Sequence, residues 1–283
     1  MTNVTDGQRL VQYNQPNWAE AQISQWLIAN PHRINLGRVG FLLNGEELAE
    51  HDLTNKSQYT DLFTGGIYST FHINNSLVTV QTYADPNSDS FGFAIESSLL
   101  STGALSALFD YPYASDADKF DDPFVGIFNA TANHTTVLRT RGKSWAQVEH
   151  TLDATTYYNT SEWQGFATVA GPHFGTHRYI LQPSGPQESI SFASTYTPGP
   201  TTVYPASFLQ IKLAAIFWWQ SYWEAGAFVD LTGTDDDDAS ELQRRTILSQ
   251  YYLAINNAGT DPPQESGLTN NGRFPYKDAY IHY

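Results

Sequence analysis

Up to about residue 200, apolar and polar residues alternate in short runs between clusters of Gly, Pro, Asn and Asp. This is the pattern of strands joined by turns. The clearest strands are GGIYSTFHINN (65–75), SLVTVQTYADP (76–86), FGFAIESSLL (91–100) and HTTVLRTRG (134–142). In SLVTVQTY, Leu77, Thr79 and Gln81 face one way while Val78, Val80 and Thr82 face the other, because side chains alternate across a strand. The flanking NNS and DPNSD are turn chemistry. Many short strands at this spacing predict an antiparallel sandwich rather than a parallel sheet. One helix is predicted inside this region, WAEAQISQWLIAN, with Trp18, Ile23, Trp26 and Leu27 on a stripe and Pro31 ending it.

The texture breaks at TYTPGPTTVYPAS, a Pro- and Gly-rich stretch without periodicity that reads as a linker. Beyond it the period becomes helical. SFLQIKLAAIFWWQSYWEAG places Phe208, Ile211, Ala215, Trp218 and Tyr222 on one side, and Leu209, Leu213 and Ile216 widen that side. A helix apolar on nearly every side is one that other elements surround, and a single helical neighbour does not suffice to cover it. Gly226 predicts its stop. The second helix, SELQRRTILSQYYLAINNAG, carries Leu242, Leu248, Tyr251 and Ile255 inward, with Ser240 and Gln243 as a capping box. The acidic run Asp235 to Asp238 precedes it, where carboxylates complement the helix dipole. That run lacks the spaced ligands of a calcium loop and reads as a solvated turn. The organisation expected is therefore a β domain over 1–195, a linker over 196–206 and helices over 207–283.

Composition narrows the function classes. Hydrophobic residues at 41% and charged residues at 15% make the chain globular rather than disordered. A net charge of −15 argues against nucleic acid and against anionic membrane surfaces as partners. Aromatics at 14% suit a protein that stacks rings on sugars and equally suit a β-rich fold. Without cysteine there are no disulfides, thiol nucleophiles or thiolate metal sites. Asn3, Asn55, Asn74, Asn129, Asn133 and Asn159 each open an N-x-[ST] triplet, which mildly favours an extracellular setting. The start MTNVTDGQRL shows no signal peptide, so the chain is expected either to be intracellular or to lack its true N-terminus. No apolar run reaches the roughly 20 residues of a membrane span. His173 and His177 stand four apart, a metal-binding spacing on a helix, but Gly171, Pro172 and Gly175 favour a loop running into a strand.

The order of a strand-rich domain, a linker, a W-x-x-x-W helix (Trp219, Trp223), the segment Phe228 to Leu231, the helix Glu241 to Ile255 and the P-P-Q-E-S-G-L-T loop resembles the six-hairpin glycosidases. Among them it is most similar to glycoside hydrolase family 65, the trehalose, maltose and kojibiose phosphorylases and hydrolases, in which a Pro-Ala-x-Gly-Leu-Thr loop follows such a helix. The stretch NPHRINLGRVGFLLNGEEL, with Gly37 and Gly40, resembles the opening of their β domain. The resemblance implies a β-rich N-terminal super-sandwich, a linker and the first helical hairpin of an (α/α)6 barrel. It implies action on O-glycosidic bonds of oligosaccharides, by inverting hydrolysis or phosphorolysis, with a carbohydrate substrate, no cofactor and no metal.

In that family the loop lies beside the sugar. Gln264 and Glu265 would then bond sugar hydroxyls, and Gly267 would admit the ligand close to the backbone. Pro262 and Pro263 would stiffen the loop. Glu265 read without the resemblance is an exposed loop carboxylate. The family's general acid lies further along the barrel, and NGRFPYKDAYIHY departs from the family pattern. A barrel needs about 12 helices of about 11–12 residues, so the expectation is a truncated product, inactive as a glycosidase by itself. The rival expectation is a non-catalytic carbohydrate-binding or docking β-sandwich module, and a third is a structural fragment with neither property.

Overall fold

The computed structural model describes residues 2–5, 10–13, 18–23, 35–114, 126–201, 204–226, 229–236 and 238–257. Two compact units are formed. In the smaller, built from residues 1–35, 114–127 and 264–283, the described elements are a hairpin of β1 (Thr2–Thr5) with β2 (Leu10–Tyr13) and a helical turn at Trp18–Glu20. Residues 21–23 continue as helix. Trp26 and Leu27 of the predicted helix lie outside the described residues.

The larger unit, residues 36–113 and 128–263, holds two antiparallel sheets. Its first strands are β3 (Arg38–Leu43), β4 (Glu46–Glu47), β5 (Thr54–Asp61), β6 (Gly66–Ile73), β7 (Ser76–Ala84) and β8 (Ser90–Glu96). A one-turn helix, Ser98–Ser101, then leads into β9 (Leu105–Asp110). The rest are β10 (His134–Arg141), β11 (Trp145–Leu152), β12 (Thr155–Gln164), β13 (Ala167–Ala170), β14 (Arg178–Pro183) and β15 (Ser189–Thr197). The eight-stranded sheet runs β10-β11-β12-β15-β8-β7-β6-β5, and the five-stranded sheet runs β13-β14-β9-β3-β4. The predicted antiparallel sandwich is what forms.

Alternation fixes which side chains meet between the layers. Val78 and Val80 of β7, Phe71 and Ile73 of β6, Val148 of β11 and Phe192 of β15 pack against Leu105, Ala107 and Phe109 of β9 and Leu181 of β14. Phe109 meets Phe192 edge to face, with ring centroids 5.6 Å apart. The β6–β7 turn works because Asn74 (φ 46°) and Asn75 (φ 69°) accept the left-handed conformation a two-residue hairpin demands. At one end of the five-stranded sheet, four charges form a closed ring. Asp110 of β9 accepts from Arg38 of β3 and Arg178 of β14, each at 2.9 Å, and Glu47 of β4 accepts from the same two arginines. Asp110 stands directly opposite both arginines in the strand register.

Two helices follow, α1 (Phe208–Ala225) and α2 (Ala239–Asn257). Ser207 caps α1 in a box with Gln210. Strand β15 extends through Thr197, two residues into the stretch that reads as linker. The predicted box at Ser240 is not formed. Helix α2 starts at Ala239, with Leu242 N–H donating to Asp238 O, so Ser240 lies inside the first turn. Gln243 accepts from the Leu231 N–H instead.

Helix α1 lies on the outer face of the eight-stranded sheet. Ile211 and Ala215 are fully buried there with Tyr83 and Ala193, and Phe208 and Ile216 pack alongside. Gly92 makes room for Phe208, since a Cβ there would stand 3.1 Å from its ring. The other side of α1 is bare: Leu209, Leu213 and Phe217 are all more than half exposed.

Candidate functional site

The outer face of the eight-stranded sheet carries most of the chemistry among the described residues. Outward-facing positions alternate with the core positions, so β7 presents Leu77, Thr79, Gln81 and Tyr83 to this side. Tyr83 lies beneath α1, with its hydroxyl 2.6 Å from that of Tyr68, and burial pushes the phenol far up. Lys212 of α1 donates to Gln81 Oε1 at 2.9 Å and sits 5.4 Å from the Tyr83 ring centroid.

The second half of α1 builds an aromatic cluster. Trp219 stacks on Tyr251 of α2 at 5.1 Å and on Trp223 at 6.1 Å, and Trp218 stacks on Tyr222 at 5.5 Å. The Trp223 indole N–H donates to Leu62 O at 2.6 Å, and Tyr222 O–H donates to Gln250 O at 3.1 Å. Gly65, at φ +69°, is what lets Trp219 in, because a Cβ there would lie 2.1 Å from the indole. On the adjoining edge strand, Tyr59 stacks on Tyr68 at 5.0 Å and is 61% exposed, a ring face open to a ligand. The tryptophans singled out from sequence are therefore packing residues that join α1, α2 and the 62–65 turn.

Farther along the same face lies an open groove of about 440 Å³ lined by Leu77, Thr79, Glu96, Ser97, Ser98, Glu188 and Ser189. Its hydroxyls and two carboxylates are suited to hydroxyl-rich ligands.

Sequence reasoning passed over Glu162 of β12. It is 5% exposed, stands opposite Trp145 and Ala193, and its Oε2 has no hydrogen-bond partner. Burial pushes its pKa up to about 7. The linker crosses this neighbourhood: Gln147 donates to Thr201 O at 3.3 Å, and the Ser144 and Tyr204 hydroxyls are 2.8 Å apart. Such a carboxylic acid is partly protonated at neutrality. Nothing in the sequence singles it out, since only the fold shows that the linker returns over this strand.

A second overlooked group fills the space between the sheets. Tyr157 donates to Leu36 O, an atom that can only accept, so the Tyr157 oxygen accepts from His150 Nδ1–H. His150 Nε2 then accepts from His134 Nδ1 at 2.7 Å, which leaves His134 Nε2 bare and without a partner. His177 stacks on His134 at 3.8 Å, donates from Nε2 to Thr131 O and accepts at Nδ1 from Thr136. Burial, together with the neighbouring imidazoles, lowers His134 to about 4 and His150 to about 3. His177, immediately before β14, packs its ring against this relay through His134, while His173 is exposed in the preceding loop. No cluster of three or more metal-ligating side chains occurs among the described residues.

Gln264, Glu265 and Gly267, expected to touch sugar, lie outside the described residues. The structure describes the elements that lead to them, α1 and α2, and no helix among the described residues is long and apolar enough to cross a membrane.

No family model matches the sequence, and no curated protein matches it. Solved structures do resemble it. One is described as a kojibiose phosphorylase from the human microbiome (10% identity, 79% of this chain, 28% of that one, TM-score 0.37). Another is a bacterial glucoamylase complexed with acarbose (10% identity, 79% and 35%, TM-score 0.46). A third is the family GH92 inverting mannosidase of Bacteroides thetaiotaomicron (12% identity, 74% and 29%, TM-score 0.44). The chain spans about a third of the length of these proteins or less.

Proposed function

We propose that this chain is a glycoside-hydrolase-like protein of carbohydrate metabolism that binds an oligosaccharide, as the resemblance to the six-hairpin glycosidases implies. The observation that supports this reading most is the seating of α1. An apolar, tryptophan-bearing helix follows the sandwich through a Pro-rich linker and lies on the outer sheet face. It is then met by α2 through Trp219, Tyr222, Gln250 and Tyr251, and α2 leads into the P-P-Q-E-S-G-L-T segment. In this reading the helices open an (α/α)6 barrel, Gln264 and Glu265 hydrogen-bond sugar hydroxyls, and Gly267 admits the sugar to the backbone. The general acid is not assigned to any residue of this chain, and the chain alone does not cleave glycosidic bonds.

Calorimetric titration of the purified chain with α-linked glucose and mannose oligosaccharides tests this. Binding is expected, weakened about tenfold by Gln264→Ala or Glu265→Ala, the loss of a hydrogen bond to a ligand being worth about 1.4 kcal/mol. Absence of binding, or binding indifferent to both substitutions, overturns the assignment. Release of free sugar by the chain alone overturns its inactivity. The rival reading, a non-catalytic sugar-binding sandwich, is favoured by the exposed Tyr59 ring. It predicts that Tyr59→Ala abolishes binding while Glu265→Ala leaves it intact.

A further inference from the structure

We propose that Asn55, Asn74, Asn129 and Asn133 accept N-linked glycans, and that these glycans shield the two edges of the eight-stranded sheet, β5 and β10, which pair with no further strand among the described residues. Each opens an N-x-[ST] triplet: Asn55-Lys56-Ser57, Asn74-Asn75-Ser76, Asn129-Ala130-Thr131 and Asn133-His134-Thr135. In the fold all four are exposed. Their positions are turns and irregularities, where a bulky sugar has room. Asn74 is at the tip of the β6–β7 hairpin with φ 46°, and Asn55 has φ 49° within the bulge that interrupts β5–β6 pairing between Thr54 and Ser57. Asn133 closes a turn onto Ala130 O at 3.0 Å and immediately precedes β10.

The Asn159 triplet shows what the fold excludes. Asn159, followed by Thr160 and Ser161, is 1% exposed on the interior strand β12. Its amide nitrogen donates to Ser194 Oγ at 2.7 Å, and its carbonyl oxygen accepts from Tyr111 O–H at 2.8 Å. A glycan there is incompatible with the folded core.

The distribution of the four acceptors follows the sheet. Its terminal strands are β5 and β10. Asn55 lies on β5, and Asn74 is two residues beyond His72, the partner of Thr54, so both stand at one end of the β5 edge. Asn129 and Asn133 flank the start of β10 at the other edge. Free edges invite strand addition by another chain, and bulges and charges are the usual protections. Both edges here carry a bulge, at Thr54/Ser57 and at Leu138/Thr140, yet seven of the eight residues of β5 remain exposed. A hydrated oligosaccharide of several residues covers what the bulge leaves open.

The modification is a group transfer from a lipid-diphosphate-linked oligosaccharide. A bond forms between the asparagine Nδ2 and the anomeric carbon, and the anomeric carbon–oxygen bond to the diphosphate breaks. The lipid diphosphate departs with the electron pair, and the amide proton passes to a base of the transferase.

The test is secretion of the full chain from a eukaryotic cell behind a heterologous signal, followed by peptide N-glycosidase digestion in ¹⁸O-water and peptide mass spectrometry. Labelled aspartate is expected at positions 55, 74, 129 and 133 and not at 159 in the monomeric fraction. Label at 159, or its absence from the other four, overturns the site assignment. The shielding role is read from the same folded material before and after native deglycosylation, with no substitution. Removal of the glycans is expected to raise the aggregation rate in light scattering about tenfold. An unchanged rate overturns the shield.

Discussion

At the residue scale, the protein keeps two kinds of ionisable group in their neutral forms, and they pull stability in opposite directions with pH. For His134 and His150 the folded pKa values, about 4 and about 3, lie below the ordinary value of 6.5. The unfolded chain therefore takes up protons first as pH falls, and stability is lost between pH 6.5 and pH 4. For Glu162 the folded value of about 7 lies above the ordinary 4.5, so its contribution is present below pH 4.5 and is lost as pH rises through 7. Two histidines outweigh one glutamate. Urea denaturation is expected to show the protein less stable at pH 4.5 than at pH 6.5, by roughly 2 kcal/mol. Glu162→Gln, a neutral isostere, should stabilise by about 3 kcal/mol at pH 8 and by almost nothing at pH 4. A double His134→Phe/His150→Phe variant should lose the acid sensitivity. Equal midpoints for the parent at pH 4.5 and pH 6.5 would show that the relay is charged in the fold. None of these groups was legible in the sequence, because a strand residue is identified as core or surface only once its neighbours are known. Asn159 makes the same point: it reads as a sugar acceptor and is a buried hydrogen-bonding hub.

At the element scale, the strands were legible and the helix ends less so. The β6–β7 hairpin could be read to within a residue, since alternation and an Asn-Asn turn agree with each other. What alternation did not show is that Tyr83 is buried on the side opposite Val78 and Val80. The eight-stranded sheet has a sandwich partner on one face and α1 on the other, and only the first covering was implied by the pattern. The start of α2 was misplaced by one turn position: Ser240 lies inside the first turn, and Gln243 is drawn to the Leu231 N–H. Helix α1 read as apolar on nearly every side, and both faces carry apolar residues: its covered face is Ile211 and Ala215, its bare face Leu209, Leu213 and Phe217. Ile211→Ala should cost about 2–4 kcal/mol in chemical denaturation. Leu213→Ala should cost less than about 1 kcal/mol, since its side chain is already in water. Comparable costs at the two positions would mean that the bare face is covered in solution. Gly65→Ala drives a methyl group into Trp219 at a positive φ and should destabilise by about 2–3 kcal/mol, with a red-shifted indole emission as Trp219 leaves its seat.

At the scale of the whole molecule, function was legible only as a resemblance. The order of sandwich, linker and tryptophan helix could be read along the chain, and the larger unit contains all three. The residues expected to hold sugar, Gln264 and Glu265, fall where the structure describes nothing. The sheet pairings that join distant segments could not be read at all, since no local pattern says that β9 lies between β3 and β14.

That placement has a kinetic consequence. Arg38, Asp110 and Arg178 come from strands far apart in the chain, and their ring closes only when both neighbours of β9 have docked. Contacts with such long loop closures are won late. The ring is therefore a latch on the way out rather than a nucleus on the way in. In stopped-flow refolding, Asp110→Asn should leave the folding limb of the chevron unmoved and raise the unfolding limb about tenfold.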